Sequence, residues 1–204
     1  MTELLVWIDC EMTGLSVKDD ALIEVAALVT DGNLNVLGEG VDVVIRPPQA
    51  ALDQMDPFVV NMHTESGLLP LLDGGVSLGE AEQQVMDYIK TYVTEAGKVP
   101  LAGNTIGTDR AFLAEYMPTL EGYLHYRNVD VSSIKELAKR WFPRIYYNTP
   151  DKTGNHRALS DIAESIEELR FYREAFFVPD PGPTSEEVKQ IATKHQGVLT
   201  DKLR

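Results

Sequence analysis

The 204-residue sequence has a single cysteine, Cys10, so it has neither an internal disulfide framework nor any zinc cluster built on thiolates. Cys10 follows an apolar run and reads as a small core residue. Long hydrophobic runs are also missing: residues 25–29 (VAALV) are typical of the longest, far short of the ~20 residues of a membrane span. No basic residue precedes the first apolar segment, and Asp9 and Glu11 interrupt that segment early, which argues against a secretory signal. The expectation is a soluble, cytoplasmic protein. Basic side chains are scarce, with 18 Lys and Arg against 32 Asp and Glu and a net charge of -14. That balance argues against a protein that wraps long nucleic acid by counterion release. The shortage is uneven: residues 1–100 hold 4 basic side chains against 17 acidic ones, whereas in 127–157 seven basic residues outnumber three acidic. An acidic body with one basic stretch suits a small polyanion, or a phosphate reached through a metal, better than a duplex. For any single Lys or Arg there, a solvated helix face is an equal alternative.

What is present is enough for a packed core, since 44% of the residues are hydrophobic and 25% charged. Residues 4–8 (LLVWI) read as a central strand. Residues 21–30 and 36–45 read as two more, joined at Asp31-Gly32-Asn33 as a hairpin. A mixed stretch broken by Pro47-Pro48, Pro57 and Gly74-Gly75 follows. Val85, Tyr88, Ile89, Tyr92 and Val93 fall at helical spacing and predict a helix over 79–95. Next come a short buried strand at 99–102, a helix at 108–117, a strand at 127–131 and a helix at 132–141 capped by Ser132 or Ser133. Ile162, Ile166, Leu169 and Phe176 mark a long helix over 158–177. The pattern is an α/β sheet with an antiparallel edge and parallel additions, forming a domain over 1–178. The tail, 179–204, carries Pro179, Pro181 and Pro183 and no aromatic residue, and is expected to be partly flexible or docked, with a short helix near 186–194.

Asp9 and Glu11 are two apart on a strand, so both side chains leave one face at its carboxyl end, where open α/β sheets bind ligands. Two carboxylates there repel one another unless a proton or cation lies between them; the plainer alternative is a pair of exposed loop carboxylates. Asp9, Glu11, Thr13, Gly14 and Asp20 also fit the spacing of a helix–loop–helix calcium loop, but the flanks read as strands and position 12 is Asp, so that reading fails. Asp109 falls in the first turn of a helix, after the strand that ends at Gly103, where capping alone would also explain it. His156 follows a polar loop and lies five residues before Asp161, which opens the long helix beside its apolar stripe.

Together these segments resemble the DEDD exonuclease superfamily in its His-containing branch, and within it the members that act on very short RNA. The match runs from about residue 4 to 177 through WIDCEMTGL, IEVAALVTDGNLNVL, GNTIGTDRAFLAEYMP, HYRNVDVSSIKELAKRW and HRALSDIAESIEELRFYRE. The resemblance implies an RNase H-like fold, a five-stranded mixed sheet flanked by helices. It also implies two divalent cations, Mg²⁺ or Mn²⁺, one held by Asp9, Glu11 and Asp161 and the other bridged by Asp9 and approached by Asp109. Hard oxygen ligands suit both ions. His156 would be the general base, a task suited to imidazole because it titrates near neutrality.

The implied activity is 3′→5′ exoribonuclease cleavage of very short RNA, down to dinucleotides, releasing 5′-mononucleotides. Leu15 would wedge between the bases and Phe58, where many relatives carry Trp, would stack on one. His63 would neighbour the phosphate or the metals. For Leu15 and Phe58, ordinary packing is the alternative. Tyr126 would enter the active site of the second copy in a homodimer, while Arg127 and Ser132, with Thr105, cap the 5′ phosphate. Two other readings stand beside this one: a DNA-directed 3′→5′ proofreading exonuclease with the same five residues, and a catalytically silent RNA-binding module.

Overall fold

The computed structural model describes residues 3–152, 154, 156–198 and 200–202. The strands are β1 (Leu4–Met12), β2 (Leu22–Asp31), β3 (Val36–Val44), β4 (Pro100–Gly103) and β5 (His125–Asp130). The helices are α1 (Gln49–Asp53), α2 (Pro57–Glu65), α3 (Leu78–Lys90), α4 (Gly107–Tyr116), α5 (Pro118–Tyr123), α6 (Val131–Trp141), α7 (Pro143–Tyr146), α8 (Ala158–Ala175) and α9 (Ser185–His195). The sheet order is β3-β2-β1-β4-β5. β1 pairs antiparallel with β2 and β2 with β3, while β1–β4 and β4–β5 are parallel. This is the five-stranded mixed sheet of the RNase H-like fold.

The period-2 alternation of the central strands divides the core into two layers. Val6, Ile8 and Cys10 of β1, with Val25, Ala27 and Val29 of β2, pack against Val85 and Ile89 of α3 and Phe112 and Leu113 of α4. Trp7, Ala26 and Leu28 face the other way, onto Ala138 of α6 and Ile162, Ile166 and Tyr172 of α8. The indole N–H of Trp7 donates to Thr30 Oγ1 at 3.0 Å, so even this buried polar atom is partnered. By the same alternation Asp9 and Glu11 continue the Trp7 side of β1, the side crossed by α8.

Several boundaries differ from the sequence reading. The helix expected over 79–95 ends at Lys90; Tyr92 and Val93 keep their core spacing in a closing turn whose N–H groups both donate to Ile89 O. Its start is sharper than expected, a capping box in which Ser77 and Glu80 satisfy each other's backbone N–H. β5 begins at His125 rather than at 127, because Pro100 pairs with His125 before a register shift. The last long helix closes at Ala175, two residues early. α6 is capped not by Ser132 or Ser133 but by Asp130, which accepts from Ser132 N at 2.9 Å. Asp130→Ala is therefore expected to cost about 1 kcal/mol of stability, read as a lower urea midpoint at unchanged m-value.

In the segment after 179, helix α9 is capped by Thr184 and Glu187 and contains no buried residue. No helix among the described residues is long and apolar enough to cross a membrane.

A candidate active site at the carboxyl end of the central strands

Three elements converge on the end of β1. The strand itself supplies Asp9 and Glu11. α4 brings Asp109, whose Oδ1 accepts the backbone N–H of Cys10 at 3.0 Å, pinning that carboxylate against the peptide that follows Asp9. The loop before α8 and its first turn bring His156 and Asp161, and one ligand atom each of Glu11, His156 and Asp161 lie within 4.8 Å of one another. Residues separated by up to 152 positions thus share one cleft.

The electrostatics are those of crowded, half-dried carboxylates. Burial, then Asp109, Glu11 and Asp161, push the Asp9 carboxyl up to about 9. Burial, then Asp161, Glu24 and Asp109, push Glu11 up to about 8, with Arg157 pulling the other way. Asp109 rises to about 6 through burial, opposed by the backbone N–H groups it accepts from. Asp161 is raised by burial and by Glu164, against His156 and Lys152. Hard oxygen donors that cannot all ionise side by side are a donor set for divalent cations, which replace the missing protons with charge. The residues therefore fit divalent cations.

The turn after β1 presents Leu15 at its tip, 79% exposed. Asp20 fastens this turn by accepting from Thr13 Oγ1 and Ser16 N, and a Cβ on Gly14 would lie 2.4 Å from that carboxylate and push it out of these bonds. Phe58 stands 75% exposed on the first turn of α2. His63 on the same helix is wholly buried, with Nε2 against Met12 O at 2.9 Å; it props the end of β1 from beneath, and burial holds its ring toward the neutral form.

On the far side of β1, Thr105 sits in the left-handed region (φ 53), uncommon for a β-branched residue. Its N–H donates to Asp130 Oδ1 and Ser132 Oγ, and its hydroxyl lies 3.0 Å from the Ser132 hydroxyl. Tyr126, 74% exposed on edge strand β5, is flanked by the His125 ring and by the Arg127 guanidinium, 5.5 Å from its centroid. β5 is in turn tied to the Asp109 helix by Arg110, which donates to His125 O and Asn128 Oδ1 and pairs with Glu121.

The structure thus brings Asp9, Glu11, Asp109, His156 and Asp161 together, leaves Leu15, Phe58, Thr105, Tyr126 and Arg127 exposed with Ser132 half-buried, and buries His63 beneath Met12. The sequence reading missed Glu24, Glu168 and Arg110. A signal existed for Glu24, the one charge inside the apolar run 22–29; nothing in the sequence marked the other two.

Residues 6–169 match the exonuclease family of RNase T type. Solved structures agree on the fold. Exonuclease I superposes with a TM-score of 0.66 at 13% identity, over 95% of this chain and 44% of that one. The zinc-bound complex of E. coli exonuclease I with single-stranded DNA gives 0.67 at 13% identity, over 96% and 43%. The chain spans less than half the length of those proteins. A five-stranded mixed sheet bearing this carboxylate cleft is that of a nuclease, a hydrolase of phosphodiester bonds.

More specifically, the chain belongs to the oligoribonuclease family. It is 67% identical to the oligoribonuclease of Streptomyces coelicolor, over 96% of this chain and 98% of that one. To the oligoribonuclease of Cutibacterium acnes it is 66% identical, over 97% and 98%. The oligoribonuclease of Mycobacterium sp. strain KMS is 55% identical over 95% of this chain.

Proposed function

We propose that this protein is a cytoplasmic 3′→5′ exoribonuclease that degrades very short RNA, dinucleotides above all, to 5′-mononucleotides. The observation that carries the reading is the convergence of Glu11, His156 and Asp161 beside Asp9 and Asp109. Asp9, Glu11 and Asp161 would hold one divalent cation, and Asp9 with Asp109 a second. Two such ions supply positive charge to the scissile phosphate and to the oxygens that attack and leave it. The protein's own part is to gather the carboxylates and to present His156, exposed at the mouth of the cleft, as base to the attacking water. Water oxygen bonds to phosphorus and the P–O3′ bond breaks. The departing oxygen leaves as the 3′ hydroxyl of the shortened strand, and a 5′-mononucleotide is released.

Selectivity for short strands follows from a site bounded at both ends. Leu15, at the tip of a turn fastened by Asp20, and Phe58, on the first turn of α2, offer a wedge and a stacking face; base–aromatic stacking is worth about 1–3 kcal/mol. Thr105, Ser132 and Arg127 supply donors for a terminal 5′ phosphate, Arg as a planar fork. The reading includes a homodimer in which exposed Tyr126 completes the site of the second copy. His63 contributes from beneath β1, as a support for Met12.

The test of the whole reading is a time course on 5′-labelled RNAs of two to seven nucleotides, with Mn²⁺ or with chelator. Mononucleotide release that is fastest from dinucleotides and absent in chelator is expected; faster turnover of longer strands, or equal turnover of DNA, would overturn it. Arg127→Ala is expected to lower kcat/KM on a 5′-phosphorylated dinucleotide by about 10- to 100-fold, the loss of a charged hydrogen bond, and to affect a heptamer less. Equal losses on both lengths would remove the phosphate cap.

A further inference from the structure

The loop that delivers His156 carries a basic residue on either side of it, Lys152 and Arg157, and each is held by a buried glutamate. Glu24 on β2 is fully buried and lies directly across the sheet from Glu11. Its Oε1 accepts Arg157 Nε at 2.8 Å and its Oε2 accepts the Ala158 N–H at 2.9 Å. Ala158 is the first residue of α8, and Arg157, at that helix's N-cap, makes no capping bond with its own side chain. A carboxylate from another element therefore serves as the cap, placed where the helix dipole favours negative charge. Arg157 Nη2 also pairs with Glu24 Oε1, at 2.8 Å, and Asp42 Oδ2 lies 3.5 Å from that same nitrogen.

The second glutamate, Glu168, lies nearly three turns further along α8. Its Oε2 pairs with Lys152 Nζ at 3.0 Å and accepts Asn104 Nδ2 at 3.3 Å. Its Oε1 pairs with Lys135 Nζ at 3.1 Å and takes the Tyr172 hydroxyl at 3.3 Å. Asn104 in turn accepts the Ser132 hydroxyl at 3.1 Å, so the same carboxylate joins the His156 loop to the residues around Thr105.

Between these two anchors His156 adopts a left-handed backbone (φ 47) that a free loop residue would leave. A histidine on an exposed loop loses reach and orientation to thermal motion unless both ends of the loop are fixed to rigid elements. We propose that Glu24 and Glu168 are positioning residues for His156. They clamp its loop through Arg157 and Lys152, so that the imidazole stays beside Glu11 and Asp161 while the cleft remains open to substrate. This rests on the reading of His156 as the base. Neither glutamate touches the reacting atoms; both act through the loop.

The test uses Lys152→Met, at a partly exposed lysine whose loss leaves Glu168 still paired with Lys135, and Glu24→Gln, which keeps shape but removes the nearer of the two carboxylates facing Arg157, leaving Asp42. Each variant is made alone and on a His156→Ala background, and kcat and KM are measured on a 5′-phosphorylated RNA dinucleotide with Mn²⁺. Hydrogen–deuterium exchange is followed by mass spectrometry in peptides spanning 148–158. The expected result is a kcat lower by about 10- to 100-fold at little-changed KM, as for partners that orient a reactive group. Faster exchange confined to that segment is expected too, with no additional loss once His156 is already Ala. Wild-type kcat in folded variants, unchanged exchange, or losses that multiply with that of His156→Ala would overturn the clamp while leaving the base intact. Full activity of His156→Ala alone would instead overturn the base and the clamp with it. If Glu24→Gln does not fold, Lys152→Met decides the matter.

Discussion

Asp9→Asn is expected to abolish turnover and, in the same protein without metal, to raise thermal stability. Asp9 is held up to about 9 by burial, then by Asp109, Glu11 and Asp161, and Glu11 to about 8. A carboxyl that binds its proton more tightly folded than unfolded stabilises the fold fully below its ordinary range near pH 4. That contribution is lost progressively as pH climbs from there, and is gone once pH has passed through 8 and 9. Metal-free wild type therefore weakens with rising pH, whereas asparagine, neutral throughout, escapes the penalty. At pH 8 in chelator the variant should gain on the order of 1–3 kcal/mol, at roughly 2–4 °C of melting temperature per kcal/mol for a chain of this size. Below about pH 4, where Asp9 is protonated in the folded and the unfolded chain alike, the difference should close. Mn²⁺ should reverse the ranking, because a ion that binds only the folded state stabilises wild type in proportion to the logarithm of its concentration over Kd. Turnover should fall by at least about 10²–10³, the scale of losing a principal electrostatic stabiliser of the transition state. Melting scans at both pH values, with chelator and with Mn²⁺, check all of this. An asparagine variant that melts no higher than wild type in chelator at pH 8 would mean that these carboxylates are not repelling one another.

That trade of stability for charge explains which parts of the protein could be read before folding. β1 and β2 were legible because a central strand buries both faces and so reads as an apolar run, and Asp9 and Glu11 were legible because they break one. Asp109 and Asp161 stood at helix starts whose own signals were clear. β5 was harder: an edge strand pairs through its backbone, so His125 and Tyr126 needed no apolar pattern to join the sheet. The cap of α6 was misread because the Ser132 hydroxyl is spent on Thr105 and Asn104, which leaves the capping to Asp130. Glu24 and Glu168 were not legible as partners of the loop at all. Arg157 meets Glu24 across 133 positions, and nothing local in either residue encodes the other. Local rules expect a helix to bring its own cap; α8 borrows one from β2, and the sequence departs from the rule where the loop carries the candidate base.

His156→Ala is expected to lower kcat on RNA dinucleotides by about 10²–10⁴, the range for removing a general base, with KM changed little. The geometry offers a rival use for the same side chain, since its ring lies with Glu11 and Asp161 inside a cluster small enough to surround one ion. The two roles separate cleanly in calorimetry. A base acts only as the water attacks, so Mn²⁺ should bind the alanine variant about as tightly as wild type, through Asp9, Glu11, Asp109 and Asp161. A ligand would be missed in the ground state, and Mn²⁺ affinity would fall along with turnover. The exposure of His156 and its place at the end of a clamped loop, rather than on β1 or α4 among the buried carboxylates, favour the base. A proton carrier must reach solvent to release what it has taken, whereas a structural ligand gains from being buried. A parallel loss of Mn²⁺ affinity and of kcat would assign His156 to the metal and leave the attacking water to be deprotonated by another group.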